Sequence, residues 1–281
     1  MPGGPKILRT RPAVIAAALL AALALIPARA VAATPTMTPH RAVYDLELDP
    51  SKGGEAMNDV TGRLVFETSG TNCDGWTVNT RFVTRITGGR GSTINDLRSA
   101  TWEAADGSAY RFVTQNFINE TLSEETNGIA SRFDDEVSIN LREPEQGRFS
   151  IGKSVLFPTQ HVQRILAAAI AGEKIVTADI FDGSETGRKV YATSTVIGPR
   201  REPAGNTGRP GDDVLGRLAS WIVTIGYFDT EDAEATTPSY EFTYDLFENG
   251  VSREITLDYG DFTLVGELSS IEFLDQPACG K

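Results

Sequence analysis

Histidine and cysteine are nearly missing from this sequence: its 281 residues carry two of each, His40, His161, Cys73 and Cys279. Ligands so few and so far apart exclude the clustered donors of a zinc centre, and no metal or cofactor is expected. There is no C-x-x-C pair to support dithiol redox chemistry. A G-x-S-x-G elbow is also lacking, because Gly183-Ser184-Glu185-Thr186-Gly187 has its serine in the wrong place and reads as a hairpin loop. The acidic clusters Asp134-Asp135-Glu136 and Asp229 to Glu234 lack the D-x-D-x-D-G order of a calcium loop. Gly88-Gly89-Arg90-Gly91 lacks the following helix of a phosphate cradle.

Basic residues are scarce as well, 26 against 38 acids, for a net charge of −12. Four of them, Lys6, Arg9, Arg11 and Arg29, fall in the first 33 residues with no acid, so the rest of the chain holds 22 against 38, or −16. Nucleic acid is excluded as a partner on this balance, since phosphate neutralisation needs clustered Lys and Arg. Long-range attraction to an anionic membrane is disfavoured for the same reason.

Long hydrophobic runs are absent beyond Ala13 to Ile26. That run spans about 14 residues, short of the roughly 20 that a bilayer-crossing helix needs. With Lys6, Arg9 and Arg11 before it and small residues at Ala28, Ala30, Ala32 and Ala33 after it, residues 1–33 read as a cleaved secretory signal peptide. The mature chain, 34–281, is then exported to a bacterial periplasm, not membrane-spanning, and expected to be a monomer. It reads as a single domain with a flexible loop at about 199–213 (PRREPAGNTGRPGDD).

In an oxidising compartment a lone cysteine pair reads as a disulfide, here Cys73 to Cys279 across 206 residues. Loop-closure entropy assigns such a bond roughly 5 kcal/mol as an upper value. A redox-responsive pair is the alternative.

What the sequence has in abundance is alternation of β-branched and aromatic residues. AVYDLEL (42–48), RLVFET (63–68), WTVNTRFVTRI (76–86), AYRFVTQNF (109–117), KVYATSTVI (189–197), SYEFTYDLF (239–247) and REITLDYGDFTLVGELSSIEFL (253–274) each suggest strand with one buried face. Turn signals fall at 106–108, 127–128, 182–184, 248–250 and 259–261. Sequential hairpins imply a mainly β fold, a long antiparallel meander of about a dozen or more strands that curls into a spiral or broken barrel.

One segment departs from this pattern. FPTQHVQRILAAAIAGE (157–173) predicts the principal α-helix, about 159–171, with Thr159 as N-cap and Gly172 as stop. Val162, Ile165, Leu166, Ala169 and Ile170 form one apolar stripe that would pack against the sheet. His161 lies in the first turn, where the helix dipole disfavours its protonated form.

The blocks FPTQH (157–161), DIFDGSETGRKVYATSTVIG (179–198) and ENGVSREITLDYGDFTLVGELSSIEFL (248–274), with the early and near-terminal cysteines, resemble the EipB family of periplasmic cell-envelope integrity proteins. The resemblance implies a curled β-sheet around a helix, a role in envelope integrity and stress resistance without known enzymatic activity, and a periplasmic tetratricopeptide-repeat partner. It also supports the disulfide. Three functions follow as expectations: a noncatalytic envelope factor acting through protein contacts, a carrier holding lipid or an acyl chain on the concave sheet, and a hydrolase using His161.

Overall fold

Alternating side chains build fourteen strands among the described residues of a computed structural model: 35–52, 59–89, 91–230, 236–276 and 278–279. The leader expected at 1–33 lies outside them. The chain runs β1 (His40–Leu48), β2 (Asp59–Thr71), β3 (Gly75–Gly88), β4 (Gly91–Glu103), β5 (Ala109–Ile118), β6 (Thr121–Arg132), β7 (Glu136–Glu143), β8 (Gly147–Gly152) and helix α1 (Pro158–Ala171). It continues through β9 (Ile175–Ile180), β10 (Tyr191–Ile197), the short helix α2 (Asp212–Leu215), β11 (Ser220–Asp229), β12 (Tyr240–Phe247), β13 (Ser252–Asp258) and β14 (Thr263–Phe273).

All fourteen strands form one antiparallel sheet ordered β8-β7-β6-β5-β4-β3-β2-β1-β14-β13-β12-β11-β10-β9. The first and last strands are therefore central neighbours, His40 opposite Phe273 and Leu48 opposite Leu264. The edges β8 and β9 come from mid-sequence, joined by the segment that contains α1. Curling brings distant parts of this sheet together. Tyr110 of β5 donates its hydroxyl to the Asp182 carbonyl (2.9 Å), and Thr126 of β6 donates to the Gly183 carbonyl (3.1 Å), both just beyond β9. Leaving β8, the chain lends β9 a partial neighbour: Leu156 bridges Ile180 in parallel, with Leu156 N to Asp179 O at 2.8 Å and Phe181 N to Leu156 O at 3.0 Å.

Two apolar clusters fill the concave side. The larger joins Ala42, Tyr44, Trp221, Tyr244 and Leu246 to the helix residues Ile165, Leu166, Ala168 and Ala169. The smaller gathers Tyr110, Phe112, Ile139, Leu141, Phe157 and Phe181. Phe157 immediately precedes α1, so the helix segment spans both cores.

Two expectations need correction. Asn127-Gly128 is not a turn but lies inside β6, at an irregularity of its pairing with β7. The glycine is needed because a Cβ there would lie 2.6 Å from the Phe112 ring. Within the loop at 199–213, Arg201 and Ser220 exchange backbone bonds, and one Asp212 carboxylate oxygen accepts from Thr207 N (2.6 Å), Thr207 Oγ1 (2.8 Å) and Arg209 N (2.9 Å). Its other oxygen accepts from the buried Arg253 guanidinium at 2.8 Å. The second correction concerns α1.

Candidate functional site

The N-terminus of α1 is where sheet and helix meet most closely. Phe157 is the N-cap residue and Pro158 opens the helix, its missing N–H being one that no intrahelical partner would satisfy anyway. Thr159 is thus inside the first turn rather than the cap. The capping function comes from elsewhere: Glu103, at the end of β4, accepts from Thr159 N (2.8 Å) and Gln160 N (2.9 Å) through its two oxygens. Gln160 completes the arrangement by accepting from Phe157 N at 3.2 Å. Orphan amides at a helix start need such acceptors, and the dipole there favours negative charge.

Arg132, at the end of β6, closes this corner. It donates to the carbonyls of Gly107 (3.0 Å), Val155 (2.8 Å) and Lys153 and to Gln160 Oε1 (3.2 Å), and its guanidinium stands 4.8 Å over the Phe157 ring. Glu103 is nearly inaccessible, and burial pushes its carboxyl up to about 7 against the opposing pull of the Thr159 and Gln160 amides and of Arg132.

His161 lies one residue further on, buried, with Nε2 3.4 Å from Thr193 Oγ1 of β10. The threonine has one proton, and it goes to the Ala178 carbonyl at 2.8 Å, which leaves the imidazole as donor in their contact. Burial lowers the His161 pKa to about 4. The ring is therefore neutral and fixed, and its hydroxyl neighbour is engaged with backbone rather than poised as a nucleophile.

The predicted stripe is rotated. Ile165, Leu166 and Ala169 are buried as expected, Val162 is half-buried, and Ile170 is 57% exposed. Ala168 and His161 take the inward positions instead. A helix pressed close to a sheet favours small side chains at the contact, so apolar bulk pointed to the wrong flank.

Cys73 and Cys279 are bonded, with Cα atoms 5.7 Å apart. Both residues are exposed. The disulfide ties the segment after β14 to the β2–β3 turn, whose Asn72 accepts from Gln163 of α1 (3.1 Å) and from Trp76 Nε1 (3.2 Å). Turn, helix and C-terminal segment thus share one junction.

The helix leaves part of the concave face incompletely covered. Phe82 and Leu97 form a cross-strand pair, as do Phe242 and Leu257, and all four are half-buried, as are Leu64, Ile86 and Phe262. Among the described residues, no group of three or more His, Cys, Asp or Glu side chains converges as a metal site would, and no helix is long and apolar enough to cross a membrane.

Glu103, Arg132 and Asp182 were not singled out by sequence reasoning. One signal was available for Glu103: it is in phase with Leu97, Ser99 and Thr101 on the inner face of β4, an unusual place for a carboxylate.

Comparison with known proteins follows the same outline. A family model described as EipB-like matches residues 31–275. The cell envelope integrity protein EipB of Brucella abortus (strain 2308) is 34% identical over 254 residues, 88% of this chain and 88% of that protein. A crystal structure of a beta-barrel-like protein of the domain of unknown function DUF1849, from Brucella abortus, superposes with a TM-score of 0.80 at 34% identity, covering 86% of this chain and all of that one.

Proposed function

The chain belongs to the EipB-like family, whose model spans nearly all of it, and on that premise we propose that it is a noncatalytic protein that maintains cell-envelope integrity. The observation carrying this reading is the similarity, over 88% of each chain, to a relative named for that role. It acts in the periplasm, after removal of the leader at 1–33, and works through protein contacts, a tetratricopeptide-repeat protein being the partner type that the family resemblance suggests.

The interior supports a noncatalytic role. Glu103, His161 and Asp182, which could serve as acid or base, are occupied within the fold: Glu103 on helix amides, His161 on Thr193, and Asp182 on Ser184 N (2.9 Å). General acid–base chemistry needs such groups within reach of a substrate proton.

The test is deletion of the gene in its native host, followed by complementation with the whole chain and with a version lacking residues 1–33. Restored growth on membrane-disrupting detergent by the whole chain alone supports the reading. Wild-type resistance in the deletion strain would overturn it. Crosslinking in intact cells then identifies the contact partner.

A second reading, carriage of a lipid or acyl chain, is favoured by the half-covered apolar pairs Phe82–Leu97 and Phe242–Leu257. Native mass spectrometry of gently purified protein decides it: a co-purifying lipid supports carriage, and bare protein removes it.

A further inference from the structure

On the outer face of β1–β4, arginines gather at one spot of this acidic chain. Strand pairing arranges three arginines around Val83: Arg63 lies directly opposite on β2, while Arg81 and Arg85 lie two residues to either side on β3, on the same face. A groove of about 480 Å³ opens there, with Val65, Val83 and Ile94 as its apolar floor and Asp45 as the one carboxylate on its wall. That volume lies in the range of small-molecule sites.

The arginines are unequally satisfied. Arg63 pairs with Asp45 at 2.7 Å. Arg81 and Arg98, directly opposite each other on β3 and β4, share one carboxylate, Asp96, at 2.9 and 2.7 Å. Like charges in register are unfavourable, and a single acid must offset both. Arg85 faces Thr61 and Ile94 across the strands and has no ion pair among the described residues. Around the groove, four guanidinium groups stand against the carboxylates of Asp45 and Asp96, a local excess of positive charge, while Glu47, Asp59 and Glu67 lie further out on the same face. Arg85, an exposed strand arginine with no acid partner among the described residues, is suited to an external anion.

We propose that this groove binds a small phosphate ester, its phosphate held among Arg63, Arg81 and Arg85 and its apolar part resting on Val65, Val83 and Ile94. Phosphate fits better than a lone carboxylate because several of its oxygens can accept from separate guanidinium forks. A free solute fits better than an anionic bilayer, which the chain's net charge of −12 repels at longer range.

The test is titration calorimetry with hexyl phosphate at low salt, using hexanol and inorganic phosphate as controls, on the whole chain and on Arg85→Gln. Saturable binding of hexyl phosphate, tighter than either control, is expected. Arg85→Gln should weaken it by about tenfold or more, the loss of one charge-assisted contact, with no change in melting temperature. Absence of saturable binding overturns the proposal, and so does equal affinity in Arg85→Gln. Binding to phosphatidylglycerol vesicles but not to hexyl phosphate would show a membrane-docking face and overturn it as well.

Discussion

Glu103 Oε2 lies 2.8 Å from the backbone nitrogen of Thr159, so a strand residue caps a helix 56 residues later in the chain. Sheet and helix are fastened at one corner by a group whose charge state is shifted by its surroundings.

The pH dependence of stability follows from that shift and from the one next to it. Glu103 has its pKa raised from 4.5 to about 7, so the folded state holds its proton more tightly. Its contribution is full below pH 4.5 and is lost as pH rises through 7. His161 is displaced the other way, from 6.5 to about 4; its contribution is full above 6.5 and is lost as pH falls through 4. Between pH 4.5 and 6.5 the two slopes oppose each other. Glu103→Gln should therefore steepen the rise of stability with pH across that window, and His161→Asn should tilt it toward decline. Denaturant unfolding of both variants at pH 4.5, 5.5 and 6.5 measures the slopes, and parallel profiles for all three proteins would refute the assignment.

Reduction of the disulfide should lower the melting temperature without prior unfolding, because both cysteines are exposed. The expected loss is up to about 5 kcal/mol, the loop-closure value for a 206-residue separation. The melting curve under reductant and that of Cys73→Ser/Cys279→Ser should agree with each other and lie below that of the oxidised protein. An unchanged melting temperature would show that the native pairing of β1 with β14 suffices alone.

Burial on α1 predicts a sharp contrast between two apolar neighbours in the predicted stripe. Leu166→Ala should cost about 2 to 5 kcal/mol, since the side chain is fully buried in the larger core. Ile170→Ala should fall within about 0.5 kcal/mol of wild type, as surface changes usually do. Urea unfolding distinguishes them, and similar losses at both positions would contradict the rotated stripe.

Asp212→Ala should release the 199–213 loop. The substitution removes the acceptor for Thr207 and Arg209 and leaves the buried Arg253 without its carboxylate. Trypsin should then cut faster after Arg200 and Arg201, which mass spectrometry of a timed digest would show. Unaltered cleavage would mean that the Arg201–Ser220 bridge holds the loop by itself.

Local pattern carried most of the architecture into the sequence. Trp76 to Ile86 alternates visibly, and the structure places that run within β3. Asn127-Gly128 misled because its glycine answers to Phe112 on the neighbouring strand, a contact with no local trace. Glu103 escaped notice as a cap for a related reason: its partners are 56 and 57 residues away. Ile170 shows the limit of periodicity, which marks an apolar flank but not how closely the helix approaches the sheet.

The order of the strands also bears on how the chain comes together during synthesis. Strands β1 to β8 each pair with the strand just made, so one wing can grow by local hairpins as the polypeptide emerges N-terminus first. β9 to β14 can zip likewise, but that wing has no fixed place until β14 finds β1, the longest-range strand pairing in the sheet. Cys279 follows β14 almost at once and meets Cys73 at the turn between β2 and β3. Oxidation of this pair is therefore a covalent seal on the last docking event, and it records that the two wings have joined.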